Sequence, residues 1–357
     1  MVSTSKSQDR RGNFALSVVI PSFNSEGWIG RTLEYLALAF RTSSFDHLEV
    51  VLVDDGSTDQ SVEEASMTAA KLGINLVVVQ QQNSGRHKAR LAGLSRCNGT
   101  HVLLIDTRVF LHENSLEFVG QQFEREPDEV WTAHVVADTT NNPLAGFWQA
   151  IEHVAWRRYF KHPRQVKFGV ADFDYFPKGT TALIGSRKLI SDAFSSFVPN
   201  IDDWHKANDD TAILRSIAHE TGISISPHYS CTYNARTTLR EFLRHAHHRG
   251  AVLVDGYWVE GARFRHAISL FLVGSVVVPV LFVFGIIGGP SFAIAMVSVI
   301  GVLGAMATLA VAARTLGAQW HDALVLARYS PLFAIWYGTG IWRGALLRVQ
   351  SSRRRRQ

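Results

Sequence analysis

Two cysteines in 357 residues, Cys97 and Cys231, exclude a disulfide framework and a thiolate zinc cluster, and suit a reducing compartment. Charge is scarce too. Only 19% of residues are charged against 46% hydrophobic, which excludes a disordered chain and is apolar for an enzyme living wholly in water. The net charge of +5 sits at one end: from Arg314 onward eight Arg face one Asp, a local +7 that leaves residues 1–313 at −2. A surface for nucleic-acid phosphates would carry its Lys and Arg on the folded part, so no nucleic-acid partner is expected.

The longest absence is of all charge. Residues 267–313 hold 47 positions without Asp, Glu, Lys or Arg. As helix, at about 1.5 Å per residue, they reach about 70 Å, enough to cross a ~30 Å hydrocarbon layer twice. Gly288-Gly289-Pro290 marks the turn, so two membrane helices are predicted over 267–288 and 291–313. Two adjacent stretches of this length argue against a buried hairpin in a soluble protein. Arg263, Arg265 and His266 before the first helix and Arg314 after the second place both outer ends in the cytoplasm. Residues 1–13 are polar, carry no signal peptide and are expected to be disordered. A third apolar stretch, 323–347, is interrupted by Arg328, Pro331 and Arg343. Residues 314–357 therefore read as an interfacial helix or helix pair with Trp336, Tyr337 and Trp342 at headgroup depth and a basic tail, Arg353–Arg356, held to anionic lipid.

Upstream, short β-branched runs alternate with amphipathic stretches, the pattern of an α/β, mostly parallel sheet over 14–250, joined to the membrane helices by a juxtamembrane linker, 251–266. Strands are predicted over 16–20, 50–53, 76–80 and 101–105, and helices over 28–40, 60–72 and 212–219. Each strand runs into a polar cluster: Pro21-Ser22-Phe23-Asn24, then Asp54-Asp55-Gly56-Ser57-Thr58-Asp59, then Asn83-Ser84-Gly85 through Arg90, then Asp106. Open parallel sheets bind ligands at the carboxyl ends of their strands. Asp54 and Asp55 also suit a helix cap, and Arg86, His87 and Lys88 suit either phosphate contact or a solvated helix start.

The order and spacing of these four clusters resemble the family 2 glycosyltransferases with the GT-A fold (a Rossmann-like sheet domain), over about residues 14 to 250. The resemblance implies inverting transfer of a sugar from a nucleotide-diphosphate donor, with a divalent cation, Mg²⁺ or Mn²⁺. For membrane-bound members it implies a polyprenyl-linked or other lipid acceptor in cell-envelope glycan synthesis. It implies that Pro21, Ser22 and Asn24 line the base, that Asp54 with Asp55 binds the nucleotide, and that Arg90 lies near the diphosphate. An Asp-x-Asp is usual where this chain has Asp106-Thr107-Arg108, so Asp106 remains as the metal residue and Arg108 replaces the second carboxylate. A guanidinium can take over part of a cation's work on phosphate; an outward-facing strand end is the plainer alternative.

An inverting transfer needs a base on the acceptor hydroxyl, opposite the leaving group. Asn208-Asp209-Asp210-Thr211 resembles the acidic pair opening a helix in the second half of these domains, with Asp210 as base and Asp209 as its neighbour; capping of that helix is the alternative. Asp172, Asp174 and Lys178 lie in a loop that would contact sugar or acceptor, or serve as plain loop. Trp148, Trp156 and Trp204 could stack on sugars or fill a core. In 240–250, His245, His247 and His248 give no fixed metal-ligand pattern, whereas Arg244 and Arg249 could hold a lipid phosphate near the bilayer. The Gln-x-x-Arg-Trp of processive synthases is absent, which points to transfer of one sugar. Two rivals stand beside this expectation: a catalytically silent nucleotide-sugar-binding scaffold, and an exporter, for which the membrane helices offer no polar path.

Overall fold

The computed structural model describes residues 14–199, 209–258, 264–288 and 291–354. The expected disordered 1–13, Trp204, Asn208, Arg263, the Gly289-Pro290 part of the turn, and Arg355 and Arg356 lie outside them.

The chain opens with β1 (Ala15–Ser22), α1 (Ile29–Arg41), β2 (His47–Asp54), α2 (Ser61–Leu72), β3 (Asn75–Gln80), α3 (Arg86–Leu94) and β4 (His101–Ile105). β1, β2, β3 and β4 are all parallel, with β1 central between β2 and β4. Their near-continuous Val, Ile and Leu runs follow from burial on both faces: Val18, Val19, Val50, Val51, Leu103 and Leu104 are all fully buried. α1 meets the sheet with Ile29, Leu33 and Leu36, spaced three and four apart.

The chain continues through β5 (Val109–Leu111), α4 (Ser115–Phe123), β6 (Trp131–Ala137), α5 (Pro143–Ala155), α6 (Arg157–Phe160), β7 (Val166–Phe168), β8 (Ala182–Ser186), α7 (Arg187–Ser195), α8 (Asp209–Glu220) and β9 (Ile223–Tyr233). β8 runs antiparallel to β4 and β6, extending one sheet in the order β3-β2-β1-β4-β8-β6-β9-β5, with β7 also on β9. Parallel strands on one side of β4 and antiparallel pairing on the other leave the carboxyl ends of β1, β2 and β4 facing the segments that enter β8 and α8.

α9 (Leu239–Tyr257) begins at a capping box: Thr238 Oγ1 accepts from the Glu241 amide at 3.3 Å and donates to Glu241 Oε2 at 2.7 Å. It runs past residue 250 without a break. α10 (Arg265–Gly288) and α11 (Ser291–Thr315) follow, and both are long and apolar enough to cross a membrane, with mean hydropathies of 2.7 and 2.3 over their spans. Leu270 and Phe292 are 74% and 76% exposed, a display of apolar surface that water does not tolerate on this scale. Residues 320–354 form one continuous helix, α12 (Trp320–Arg354), with Pro331 inside it.

α12 lies along α9 at backbone contact. A Cβ on Gly250 would stand 2.1 Å from the Tyr337 carbonyl, and one on Gly340 would stand 2.0 Å from that of His247. Only glycine permits that approach. On its other side α12 holds α10: Gly338 packs on Phe271, and Trp342 Nε1 donates to Ser275 Oγ at 3.0 Å.

Candidate active site

The loops after β1 and β2 are stitched together. Asn24 adopts a left-handed conformation (φ 49°), tolerable for an asparagine. Its amide donates to Ser57 Oγ at 3.0 Å, and its Oδ1 accepts from the Thr58 amide at 2.9 Å. Asp54, at the end of β2, accepts from the Ser57 amide at 3.0 Å. Asp55 brackets the next loop, accepting from Gln81 Nε2 at 2.7 Å and from the amides of Ser84 and Gly85 at 2.8 and 3.0 Å. Gly85 makes this possible at φ 90°, a backbone that side chains disfavour. Beside them Pro21 is half-buried, and Ser22 Oγ is buried with no hydrogen-bond partner among the described residues.

Carboxylates from two distant parts of the chain meet on α3. Arg86 and Arg90 are one turn apart and so share a helix face. Arg90 is fully buried: its Nη2 donates to Asp106 at 2.9 Å and its Nη1 to Asp210 Oδ1 at 3.0 Å. Arg86, half exposed, donates to Asp210 Oδ2 at 2.9 Å and to Asp209 Oδ1 at 3.3 Å. Asp209 and Asp210 occupy the first turn of α8, where the helix dipole favours negative charge. His87 Nδ1 lies 3.6 Å from Asp209 Oδ2, with its ring stacked on Phe194. Burial raises the Asp209 pKa, but the adjacent His87 and the charges of Arg86 and Arg90 outweigh it and hold the carboxyl well below the usual range.

Thr180, absent from the sequence-based candidates, completes the group. Its hydroxyl donates to Asp210 Oδ1 at 2.6 Å. Antiparallel pairing of β8 with β4, continued by the Asp106 amide donating to the Thr181 carbonyl at 3.2 Å, brings it there. His87 and Thr180 carry no sequence signal beyond proximity to a motif; the pairing of β8 with β4 is what places Thr180.

Arg108 stands apart from this group. The Val109 amide donates to the Asp106 carbonyl at 3.2 Å, and this turn ends the strand alternation that would have put residues 106 and 108 on one face. The Arg108 guanidinium lies 4.4 Å over the Trp28 ring, in the field of Arg236 and Glu241. Thr107 ties the same turn to α1, its carbonyl accepting from Thr32 Oγ1 at 2.8 Å.

The 171–181 loop is internally braced. Asp172 pairs with Arg158 at 2.8 Å and Asp174 with Arg215 at 3.4 Å. Lys178 donates to the carbonyls of Phe173 and Phe176, and burial pushes its pKa down to about 8. On α9, Arg244 is exposed, whereas Arg249 lies 5.1 Å over the Trp148 ring. Trp148 packs on Phe147, Phe242 and Phe333. Burial holds the imidazoles of His245 and His248 below their ordinary pKa, and the charges of Arg249, Arg236 and Arg86 push the same way.

Among the described residues no three His, Cys, Asp or Glu side chains converge to hold a metal ion. The donor set fits a cation of the Mg²⁺ kind only through Asp106, about a quarter exposed, because such ions are bound by one or two carboxylates together with substrate phosphates.

The family model described as glycosyl transferase family 2 matches residues 17–182, the stretch that runs from β1 into β8. Residues 17–182 are thus a family 2 glycosyltransferase domain. The chain is 35% identical over 92 residues to an undecaprenyl-phosphate 4-deoxy-4-formamido-L-arabinose transferase of Pseudomonas fluorescens (26% of this chain, 27% of that protein). It is 32% identical over 102 residues to the poly(ribitol-phosphate) beta-N-acetylglucosaminyltransferase TarS of Staphylococcus aureus (28% and 17%). The matched stretches thus span well under half the length of these relatives. Among solved structures it is similar to the mannosyltransferase PcManGT from Pyrobaculum calidifontis in complex with GDP-Man and Mn²⁺, with a TM-score of 0.54 and 17% identity over 90% of this chain and 87% of that one. That likeness is one of fold and agrees with the expected GT-A sheet.

Proposed function

We propose that this glycosyltransferase moves a single sugar, with inversion, from a nucleotide-diphosphate sugar to a lipid-linked or membrane-proximal acceptor in cell-envelope glycan synthesis. One observation supports the reading: Arg90 joins Asp106, at the end of β4, to Asp210, in the first turn of α8, so the carboxylates assigned here to donor and acceptor meet on one guanidinium. α10 and α11 support a bilayer-anchored site, with the catalytic domain on the cytoplasmic side as the flanking arginines suggest.

In this reading Pro21, Ser22 and Asn24 line the base, Asp54 meets it, and Asp55 holds the loop that presents α3. Arg86 and Arg90 face the diphosphate. Asp106 would hold a divalent cation, which when bound offsets charge on the leaving diphosphate. Asp210 takes the proton of the acceptor hydroxyl; the acceptor oxygen bonds to the anomeric carbon from the opposite face as the bond to the diphosphate breaks, and the nucleoside diphosphate leaves with the electron pair. Thr180 orients Asp210, and Asp209 anchors its neighbour through His87. Asp172, Asp174 and Lys178 act by shaping the loop that carries Thr180.

A thermal-unfolding panel of UDP-, GDP- and dTDP-sugars, with and without Mn²⁺, tests the reading, because ligand stabilisation reports affinity by mass action. Stabilisation by one donor, with turnover on a polyprenyl-phosphate acceptor, is the expected result. Stabilisation without turnover on any lipid acceptor would favour a silent nucleotide-sugar-binding scaffold, which the displacement of Arg108 onto Trp28 otherwise best suits. No stabilisation by any donor would overturn both.

A further inference from the structure

The seam between α9 and α12 concentrates cations that the donor cleft does not use. The two helices run parallel: His247 meets Gly340, Ala251 meets Gly344, and Arg348 Nη1 donates to the Val254 carbonyl at 3.4 Å. Because glycines bring the backbones together, the flanking side chains stand up as the walls of a groove. His248 and Asp255 line it from α9, and Arg343, Leu347 and Arg348 line it from α12.

The groove wall carries two arginines, Arg343 and Arg348, against one acid, Asp255. Arg343 has no carboxylate partner among the described residues; its Nη1 lies 3.3 Å from His247 Nε2. Arg86, Arg249, Arg236 and Arg343 all act on His248, and Asp255 is the one acid on the groove wall. The other face of α12 is bound to α10, whose outward side chains Leu270 and Val273 are apolar.

A cationic recess with an apolar wall residue, next to helices suited to hydrocarbon, fits an anion attached to an apolar chain. We propose that the α9–α12 groove binds the phosphate headgroup of an amphiphile through Arg343, Arg348 and His248, while its chain stays in the layer that α10 and α11 occupy. The lipid-linked acceptor of the proposed function favours the phosphate of the acceptor as the source over a bilayer phospholipid. That choice of source rests on the proposed function; recognition of phosphate does not.

The test uses the full chain in dodecyl maltoside, with dodecyl phosphate as the probe and thermal unfolding as the readout. Saturable stabilisation is expected, weakened at least about tenfold in apparent affinity by Arg343→Gln with Arg348→Gln, because charge-assisted hydrogen bonds are lost. Arg343→Lys should retain most of it, and inorganic phosphate, lacking the chain, should compete only weakly. His248→Gln provides a milder variant should the double one fold poorly, with stabilisation by the preferred nucleotide as the check on folding. Displacement of the probe by phosphatidylglycerol at equal mole fraction would assign the headgroup to the bilayer, and failure to displace it would assign a monoester acceptor. Equal probe affinity in wild type and a folded variant would overturn the proposal. Asp210→Asn separates the two readings: it should lose transfer and keep the probe.

Discussion

Asp106 at the end of β4 and Asp210 in the first turn of α8 share one guanidinium, that of the fully buried Arg90, at 2.9 and 3.0 Å. The two halves of the sheet domain are thus fastened at the point where, in the proposed function, donor and acceptor meet.

Removing that fastener should be costly. Arg90→Ala takes from Asp106 its ion-pair partner and leaves Asp210 with Arg86 alone, and breaking a buried ion pair from one side costs about 3 kcal/mol. Denaturant unfolding should show a loss of that order, and Arg90→Lys should recover only part of it, because an ammonium lacks the planar fork that reaches both partners.

Thr180→Val keeps the volume and deletes the hydroxyl that donates to Asp210 Oδ1 at 2.6 Å. With the base less firmly oriented, kcat should fall about tenfold while nucleotide affinity is unchanged. An unaltered kcat, measured at saturating donor and acceptor, would remove Thr180 from the site.

Acid should unfasten α8 from α3. The Asp209 carboxyl has a folded pKa depressed below its unfolded value, so the unfolded chain binds more protons between the two. The associated stability is fully present above the unfolded value of about 3.9 and is lost as pH falls toward the folded one. Asp209→Asn should flatten the acid limb of a stability-versus-pH curve. Glu152 works in the opposite sense: burial pushes its pKa up to about 7, against the pull of Arg249, so stability falls as pH rises from about 4.5 to 7. Glu152→Gln should remove that slope.

The helix seam admits no Cβ. Gly250→Ala or Gly340→Ala would push a methyl into a backbone carbonyl and force α9 and α12 apart, at about 1–3 kcal/mol. A lowered melting temperature with intact nucleotide binding is the expected signature.

Much of this was legible in the sequence, for reasons visible in single elements. β-branched runs ending in polar clusters gave the parallel strands, and the charge-free run 267–313 gave α10 and α11, because burial on both faces and hydrocarbon each impose a composition. Less was legible wherever the decisive contact is long-range. Thr180 reaches Asp210 only through the β4–β8 pairing, and Arg108 leaves its neighbour Asp106 through a turn that its local sequence does not announce. α12 continues through Pro331 and Arg343 and packs on α9 along Gly340 and Gly344, where interrupted hydropathy left open one helix or a pair.

In the proposed function Asp106 is the one protein ligand of the divalent cation. With one carboxylate and the donor phosphates as ligands, turnover should vanish in excess EDTA and return with Mn²⁺ or Mg²⁺. Full turnover in EDTA would show that Arg86 and Arg90 suffice for the leaving diphosphate.

The most direct measurement pairs turnover with donor binding in Asp210→Asn. The amide keeps the side chain's shape and a hydrogen-bond acceptor for Thr180 but cannot take the acceptor's proton. Transfer reduced by at least about a hundredfold, with the nucleotide-sugar still stabilising the fold, is the predicted result; transfer near the wild-type rate would contradict the account.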